Sequence, residues 1–282
     1  MVRSLGVVEY ESEVERFLED LPPSSRYTYK RKAQLDEILQ TEYHRLESCR
    51  ADAETSEYFV YVDISPFSFN QTFLLPDPIA GLRLFYNPEL HILITRMSTL
   101  EQVQTTSALY TAVAETFRHM GLNHATQWFG GVNVDVGNGK TKQPDGGWSP
   151  IRPPPGGARR PGVVVEIGLS EPETKLPNDA RMWVDPGKGE ANMAITVKIN
   201  RRKPELKLHT WEWNLNLQGS HVTQSTVITK TGDKVTVSQT PLTIPFHYIF
   251  QRSPEHLRET DVQLEKQQLI DWATSVWDVQ GI

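Results

Sequence analysis

Apolar residues recur at helical spacing in the first part of the chain. The spacing holds in the Glu-rich segment before Pro22-Pro23 and returns from Leu35 to Leu39. Three- and four-residue intervals between apolar positions are typical of a helix with one buried side. We therefore predict a helical N-terminal extension over residues 1–57. Its apolar sides would pack on the rest of the protein, or contact a second copy or another protein partner.

From residue 58 the apolar pattern changes to period two. The runs Tyr58–Ile64, Leu82–Tyr86 and His91–Met97 alternate as β-strands do, and Pro-containing turns separate them. The Asn-Pro turn between the second and third runs predicts a β-hairpin. We take residues 58–282 as one domain with a C-terminal elaboration.

A long helix follows the hairpin. Ser98 and Glu101 have the spacing of a capping box, and the apolar residues from Leu100 to Met120 fall on one side of a helix. Gly121 is a typical helix stop. A second helix is predicted beyond Ser170, which would cap it.

The remaining segments alternate between strands and loops. Strands are predicted over 127–136, 191–200 and 206–214, and a hairpin turns at Gly232-Asp233. The Pro- and Gly-rich stretch over 149–162 predicts an exposed loop, and a closing helix is predicted over 261–278. Strands mixed with helices indicate an α/β protein with additional C-terminal β structure.

Composition narrows the class of protein. The chain has 282 residues, 38% of them hydrophobic and 23% charged, which suits a globular domain with a real core. No run reaches the ~18 consecutive apolar residues of a membrane helix, and the acidic N-terminus does not resemble a signal peptide. We expect an intracellular protein, cytoplasmic or nuclear, without a membrane partner. The single cysteine, Cys49, fits a reducing compartment.

The formal net charge of −6 provides no general attraction to nucleic acid. Any contact with DNA or RNA must therefore be local. Three short basic clusters are available, although solvated turns have the same composition: Lys140 with Lys142; Arg152 with Arg159 and Arg160; and Arg201 with Arg202 and Lys203.

One charge stands out because it follows three valines. Glu166 ends the run Val163–Val165, where an acid is costly unless a cation or a hydrogen-bond donor meets it. Asp145 follows Pro144, 21 residues earlier, which is enough chain to bring two strands side by side. Two converging carboxylates repel each other unless a cation lies between them, and hard oxygen ligands suit Mg²⁺ or Mn²⁺. Two unrelated acids near loops are the simpler alternative.

The order of these elements resembles the PD-(D/E)XK, or restriction-endonuclease-like, superfamily. The chain is most similar there to the Uma-type family of predicted endonucleases and to fungal proteins of similar layout. The matching segments cover residues 82–200 and are LRLFYNPELHILITRMS, Lys142-Gln143-Pro144-Asp145, VVVEIGLS at 163–170, and Asp179-Ala180 with Trp183.

The resemblance implies a central mixed sheet flanked by helices and a metal-dependent nuclease that acts on DNA or RNA. It also implies that Asp145 and Glu166 are catalytic metal ligands for Mg²⁺ or Mn²⁺, and that Glu115 of the long helix is an auxiliary catalytic acid. Glu115 could equally be an ordinary exposed helical residue.

The chain departs from the family pattern at the lysine. The position two residues beyond Glu166 is Gly168, and the position used in the Uma-type pattern is Asp179. Lys175 is the nearest substitute and our candidate catalytic lysine; Lys198 on the next strand is the second, and either could be a surface charge. If no lysine serves, the alternative is an inactive nuclease-fold module that binds nucleic acid or protein.

Overall fold

The chain is mixed α/β, with two large β-sheets, a two-stranded sheet and helices that cover them. The computed structural model describes residues 2–49, 55–74, 81–155 and 160–282. Seven helices and fifteen strands form within those ranges. Residues 156–159 of the expected exposed loop, including Arg159 of one basic cluster, lie outside the described residues.

The first sheet has six strands. In chain order they are β1 Ser25–Thr28, β2 Tyr58–Val62, β3 Leu82–Asn87, β4 Ile92–Met97, β6 Val134–Asp135 and β7 Thr141–Lys142. Their order across the sheet is β1-β2-β4-β3-β7-β6. β3 and β4 pair antiparallel, with Leu82 opposite Met97, so the hairpin predicted from the sequence is confirmed.

The N-terminal segment joins this sheet instead of standing apart from it. Helices α1 Val2–Leu18 and α2 Lys32–Ser48 occupy most of the segment, and β1 lies between them. β1 pairs in parallel with β2, across the boundary that we expected at residue 57. A short helix, α3 Pro66–Phe69, and a π-helical turn, Asn70–Leu74, follow β2.

The second sheet has seven strands. They are β5 Thr126–Trp128, β8 Gly146–Pro150, β9 Val163–Gly168, β10 Met193–Ile199, β11 Glu205–Asn214, β12 Gly219–Thr231 and β13 Lys234–Val237. Their order is β13-β12-β11-β10-β9-β8-β5. β8 and β9 are antiparallel, whereas β9 and β10 are parallel and joined through helix α5 Lys175–Val184.

The central strand β9 is buried on both sides, which explains its continuous apolar sequence. Val163 and Val165 pack in the core that contains helices α4 Leu100–Met120 and α7 Lys266–Gln280. Val164 packs on the opposite side with Trp183 of α5. Successive strand residues point to opposite sides, so Glu166 faces the same side as Val164, towards α5.

The long helix α4 is confirmed, but its cap differs from the prediction. Thr99, not Ser98, is the N-cap residue, and it forms the capping box with Gln102 instead of Glu101. Gly121 ends the helix in the left-handed conformation, as predicted. Both candidate pairs have the same spacing, so the sequence pattern did not distinguish one register from the next.

Two other boundaries were also wrong. The closing helix begins at Lys266 instead of 261, because Val262–Leu264 forms strand β15 and pairs with β14 Leu242–Ile244. Helix α5 begins after Thr174, and its N-cap makes no side-chain cap. Between β14 and β15 lies the short helix α6 Phe246–Phe250. Within the described ranges, no helix is both long and apolar enough to span a membrane.

The core around β10 should carry much of the stability. Ile195 is fully buried there, so Ile195→Ala should lower the free energy of unfolding by about 2–5 kcal/mol, as lost burial and a residual cavity add together. Urea denaturation followed by circular dichroism measures this change. Leu257→Ala, at a fully exposed side chain, is the control and should change it by less than about 0.5 kcal/mol. Equal effects in the two variants would contradict the assigned core.

Candidate functional site

The β8–β9 register brings Asp145 and Glu166 together. Gly146 pairs with Val165. Asp145 directly precedes Gly146 and Glu166 directly follows Val165, so the two acids lie at the same end of the strand pair. A hydrogen bond from the backbone N–H of Ile167 to Asp145 Oδ2, at 2.8 Å, continues the pairing beyond the strand. Both carboxylates are only 3% exposed. Each of them therefore needs donors or cations from the protein.

Asp145 receives its cations from the first sheet. Arg96 on β4 donates a hydrogen bond from Nη2 to Oδ1, and the Nε of Arg83 on β3 lies 3.4 Å from the same oxygen. Arg96 also donates from Nη1 to the Ile167 carbonyl oxygen at 2.9 Å. One guanidinium therefore ties the first sheet to both the acid and the backbone of the second.

Glu166 is held by an indole and an amine. Trp183 Nε1 donates to Glu166 Oε1 at 2.5 Å, and Lys142 Nζ lies 3.4 Å from the same oxygen. Burial raises the pKa of Glu166 to about 7; Lys142 limits the rise, whereas Asp179 and Asp145 add to it. The carboxyl is thus half protonated near neutral pH when no other cation is present.

Lys142 is the lysine that the sequence analysis overlooked. It lies at the end of β7, three residues before Asp145, and its amine also contacts Asp179 Oδ1 at 3.0 Å. Burial alone lowers the pKa of Lys142, but Asp179 and Glu166 outweigh burial and raise it. The residue had been assigned to a surface cluster with Lys140. Its neighbours Thr141 and Gln143 are polar, so its position three residues before Asp145 was the only available signal.

Lys175 and Asp179 lie one helical turn apart on α5, on the side that faces Glu166. Lys175 Nζ donates to both oxygens of Asp179, at 2.6 and 2.5 Å. Burial lowers the pKa of Lys175. Burial acts to raise the pKa of Asp179, but Lys142 and Lys175 overcome it and lower that pKa to about 2. Asp179 therefore holds two amines beside Glu166.

A lysine in place of Gly168, two residues beyond Glu166, would require neighbouring side chains to shift. A Cβ on Gly168 would lie 2.8 Å from Oε2 of Glu171 and 2.8 Å from Cδ1 of Leu176. Lys198, opposite Gly168 on β10, donates to the Glu171 carbonyl oxygen at 2.5 Å and lies 3.6 Å from its carboxylate. The Lys198 amine thus contacts Glu171, whereas the amines of Lys142 and Lys175 lie near Glu166.

Glu115 lies away from these residues. Its side chain is half exposed and pairs with Arg118 at 3.1 Å. Gln102, near the start of α4, reaches the Glu166 end of β9: its Nε2 lies 3.5 Å from the Ile167 carbonyl oxygen. At 1.5 Å per residue, Glu115 is about 20 Å further along the helix.

Ser170 also has a different environment from the one expected. Instead of capping α5, its hydroxyl donates to Oε2 of the buried Glu57. Tyr58 next to Glu57 donates to Glu171 Oε1 at 2.8 Å, and Arg96 Nη1 lies 3.5 Å from that oxygen. A second carboxylate pair, Glu57 and Glu171, is therefore buried beside the first.

Two openings lead into this region. A cavity of about 30 Å³ is lined by residues that include Arg96, Lys142, Glu166 and Asp179. A separate cleft of about 360 Å³ runs between α4 and β3; Arg83 and Asp145 line one part and the paired rings of Tyr110 and Trp128 another. The cleft gives a polyanion a route to the edge of the site.

The carboxylate pair suits one hard divalent cation. Among the described residues, Trp183 and Lys142 both contact Oε1 of Glu166, so Oε2 keeps its lone pairs. Asp145 Oδ2 accepts only one hydrogen bond there, and an ionised carboxylate offers about four acceptor positions. The small cavity exceeds the ~10–15 Å³ that a water molecule requires. Asp145 and Glu166 could thus hold Mg²⁺ or Mn²⁺ through one oxygen each.

Comparison of the sequence with protein-family models and with curated proteins found no match. The function must therefore be inferred from the chemistry of the site.

The raised pKa of Glu166 predicts how stability depends on pH. Because the pKa rises from 4.5 to about 7 on folding, the folded protein keeps a proton that the unfolded chain releases. Stability should therefore fall by about 3 kcal/mol as the pH rises through that window. Glu166→Gln should remove this dependence and be more stable than the wild type at pH 8, without metal.

Urea denaturation at a series of pH values between 4 and 8 measures the effect. Glu115→Gln is the matched control, since it makes the same chemical change at an exposed position and should keep the wild-type dependence. A Glu166→Gln protein that unfolds, or that retains the wild-type slope, would mean that Glu166 is ionised and structural.

Proposed function

We propose that the protein is a metal-dependent nuclease that hydrolyses phosphodiester bonds of DNA or RNA. The proposal depends mainly on one observation: the opposed carboxylates Asp145 and Glu166 have a lysine amine, that of Lys142, 3.4 Å from Glu166. Two carboxylates for a divalent cation and an amine for the reacting phosphate are the groups that hydrolysis of a phosphodiester requires.

Each group has a defined task in this proposal. Asp145 and Glu166 would hold the cation, which would lower the pKa of a bound water molecule and offset charge on the scissile phosphate. Lys142 supplies a fixed positive charge beside the attacked phosphate, and Lys175 helps to hold Asp179 in its position. Arg83, at the mouth of the cleft, provides a second cation for a phosphate oxygen.

The order of elements supports the same proposal. α4, β5, β8, β9, α5 and β10 follow one another, and the crossover helix α5 joins the only parallel pair among the described strands of the second sheet. That arrangement is consistent with the PD-(D/E)XK fold suggested by the sequence motifs. Because a fold hosts many functions, we give it less weight than the site.

A second candidate is an inactive nuclease-fold module that binds nucleic acid or protein. The observation that favours it is Gly168, which stands where the motif has its lysine and against which the side chains of Glu171 and Leu176 pack closely. In this alternative, Lys142 and Lys175 only neutralise buried acids, and the cations around Asp145 stabilise the fold without catalysis.

Metal binding can be tested apart from cleavage. Mn²⁺ at about 100 times its Kd should add about 2.7 kcal/mol of stability and raise the thermal midpoint, because it binds only the folded state. Asp145→Asn combined with Glu166→Gln should abolish the rise. Glu115→Gln combined with Asp278→Asn is the control of equal charge at exposed positions. Equal heats in calorimetric titrations of Mn²⁺ into both double variants would exclude the site.

The lysine decides between nuclease and inactive module. Lys142→Gln should reduce cleavage of a labelled oligonucleotide by about 10²–10³, because it removes a preorganised charge. Lys234→Gln, which makes the same chemical change at an exposed position, is the matched control and should cut at the wild-type rate. Thermal midpoints of both variants establish that they are folded.

Two results would change the assignment. If Lys142→Gln cuts normally and Lys175→Gln does not, the catalytic lysine is Lys175 on α5, as the sequence first suggested. A wild-type protein that cuts neither DNA nor RNA with Mg²⁺ or Mn²⁺ would rule out the nuclease and leave the binding module.

A further inference from the structure

A basic pocket of about 270 Å³ lies where β9 and β10 end. Four cationic side chains line it, together with two carboxylates: Lys198, Arg201, Arg202, Lys207, Glu173 and Glu205. The pocket therefore has a formal excess of two positive charges on its surface, in a protein whose net charge is −6. The positive charge of the pocket lining, opposite to the net charge of the protein, needs a physical reason.

Buried acids behind the pocket hold two of its cations in position. Lys198 donates to the Glu171 carbonyl oxygen, and Arg201 Nη2 lies 3.3 Å from Glu57 Oε2 while its Nη1 donates to the Thr55 carbonyl oxygen. Glu57 and Glu171 have fully buried side chains. The cations are thus anchored from behind, and their outer faces border the pocket.

The acids Glu57 and Glu171 lie behind the pocket and do not line its surface. Burial and the neighbouring Glu171 raise the pKa of Glu57. On the outer side, Glu205 is 3.8 Å from Lys207, which is a weak contact for a side chain that is 44% exposed. Arg202 is exposed to solvent. Arg202 and Lys207 are therefore available to an incoming anion.

The pocket lies close to the candidate metal ligands. Lys198 pairs with Gly168, which is two residues beyond Glu166, and Ser170 of the pocket is four residues beyond it. At about 3.3 Å per strand residue, the pocket begins within ~13 Å of Glu166. One strand of nucleic acid rises about 3.4 Å per nucleotide, so this separation corresponds to a few nucleotides.

We propose that this pocket binds a backbone phosphate of the substrate strand, a few nucleotides from the phosphate at Asp145 and Glu166. Arg202 and Lys207 contact the phosphate directly, while the anchored amine of Lys198 and guanidinium of Arg201 provide fixed positive charge behind them. The proposal rests on the nuclease function above and adds a site for strand positioning. A polyanion is the ligand that these residues favour, because clustered cations that neutralise phosphates release counterions.

Equilibrium binding of a fluorescent single-stranded 20-mer, in EDTA and at several salt concentrations, tests the pocket without cleavage. Arg202→Gln combined with Lys207→Gln should weaken binding by roughly tenfold or more. The magnitude of the slope of log K against log salt should decrease by about 0.7, since the variant loses one neutralised phosphate of a single strand. The oligonucleotide is tested as DNA and as RNA.

Lys234→Gln combined with Arg258→Gln is the matched control, because it removes the same two charges from exposed positions elsewhere. The control should keep the wild-type slope. Lys198 and Arg201 are left unchanged, because their loss would remove cations that pair with the buried acids Glu171 and Glu57.

The outcomes separate the pocket from the nuclease. A reduced slope in the pocket variant alone supports the pocket, even if the wild type cuts nothing with Mg²⁺ or Mn²⁺, in which case only the nuclease fails. Equal slopes in the pocket variant and the control would overturn the pocket, whether or not the wild type cuts the oligonucleotide. The same conclusion would follow if the wild type did not bind the oligonucleotide at 50 mM salt, a concentration at which phosphate contacts are strong.

Discussion

The contact between Arg96 and Asp145 is the interaction on which the rest of the site depends. Arg96 comes from the first sheet and Asp145 from the edge of β8 in the second. The pair is buried, so removing either partner would leave a poorly compensated charge, at a cost of up to about 3–5 kcal/mol. Because the same guanidinium also binds the Ile167 carbonyl oxygen, it aligns β9 and therefore Glu166. The contacts that position the acids of the site are therefore also contacts that join the two sheets.

Charge balance explains why such a polar centre can be buried. Asp179 pairs with Lys142 and Lys175, and Glu166 shares Lys142 while accepting from the indole of Trp183. Glu166 is the least compensated of these acids, which is why its pKa is raised while that of Asp179 is lowered. One more positive charge beside Glu166 would therefore lower the pKa of that carboxyl.

The sequence was sufficient for the parts of the fold that local patterns determine. The hairpin of β3 and β4, the long helix α4 and the strands β10 and β11 all follow from periodicity and turn residues. The sequence also identified Asp145 and Glu166 as anomalous acids. It could not identify Lys142 or Arg96 as their partners, because a charge in a short strand reveals burial without revealing what it meets. Those contacts depend on how two sheets dock, which no local pattern encodes.

The division of the site between two sheets has a consequence for how the protein acquires it. Arg96 and Asp145 are 49 residues apart, and Tyr58 and Glu171 are 113 apart. Contacts of such sequence separation form only after long loops have closed, which is entropically slow. Each sheet can gain much of its pairing from nearer neighbours, so the polar centre is assembled when the sheets meet. In a nascent chain that has completed only the first sheet, Arg83 and Arg96 would still be exposed to water. Another carboxylate could then bind them before Asp145 does.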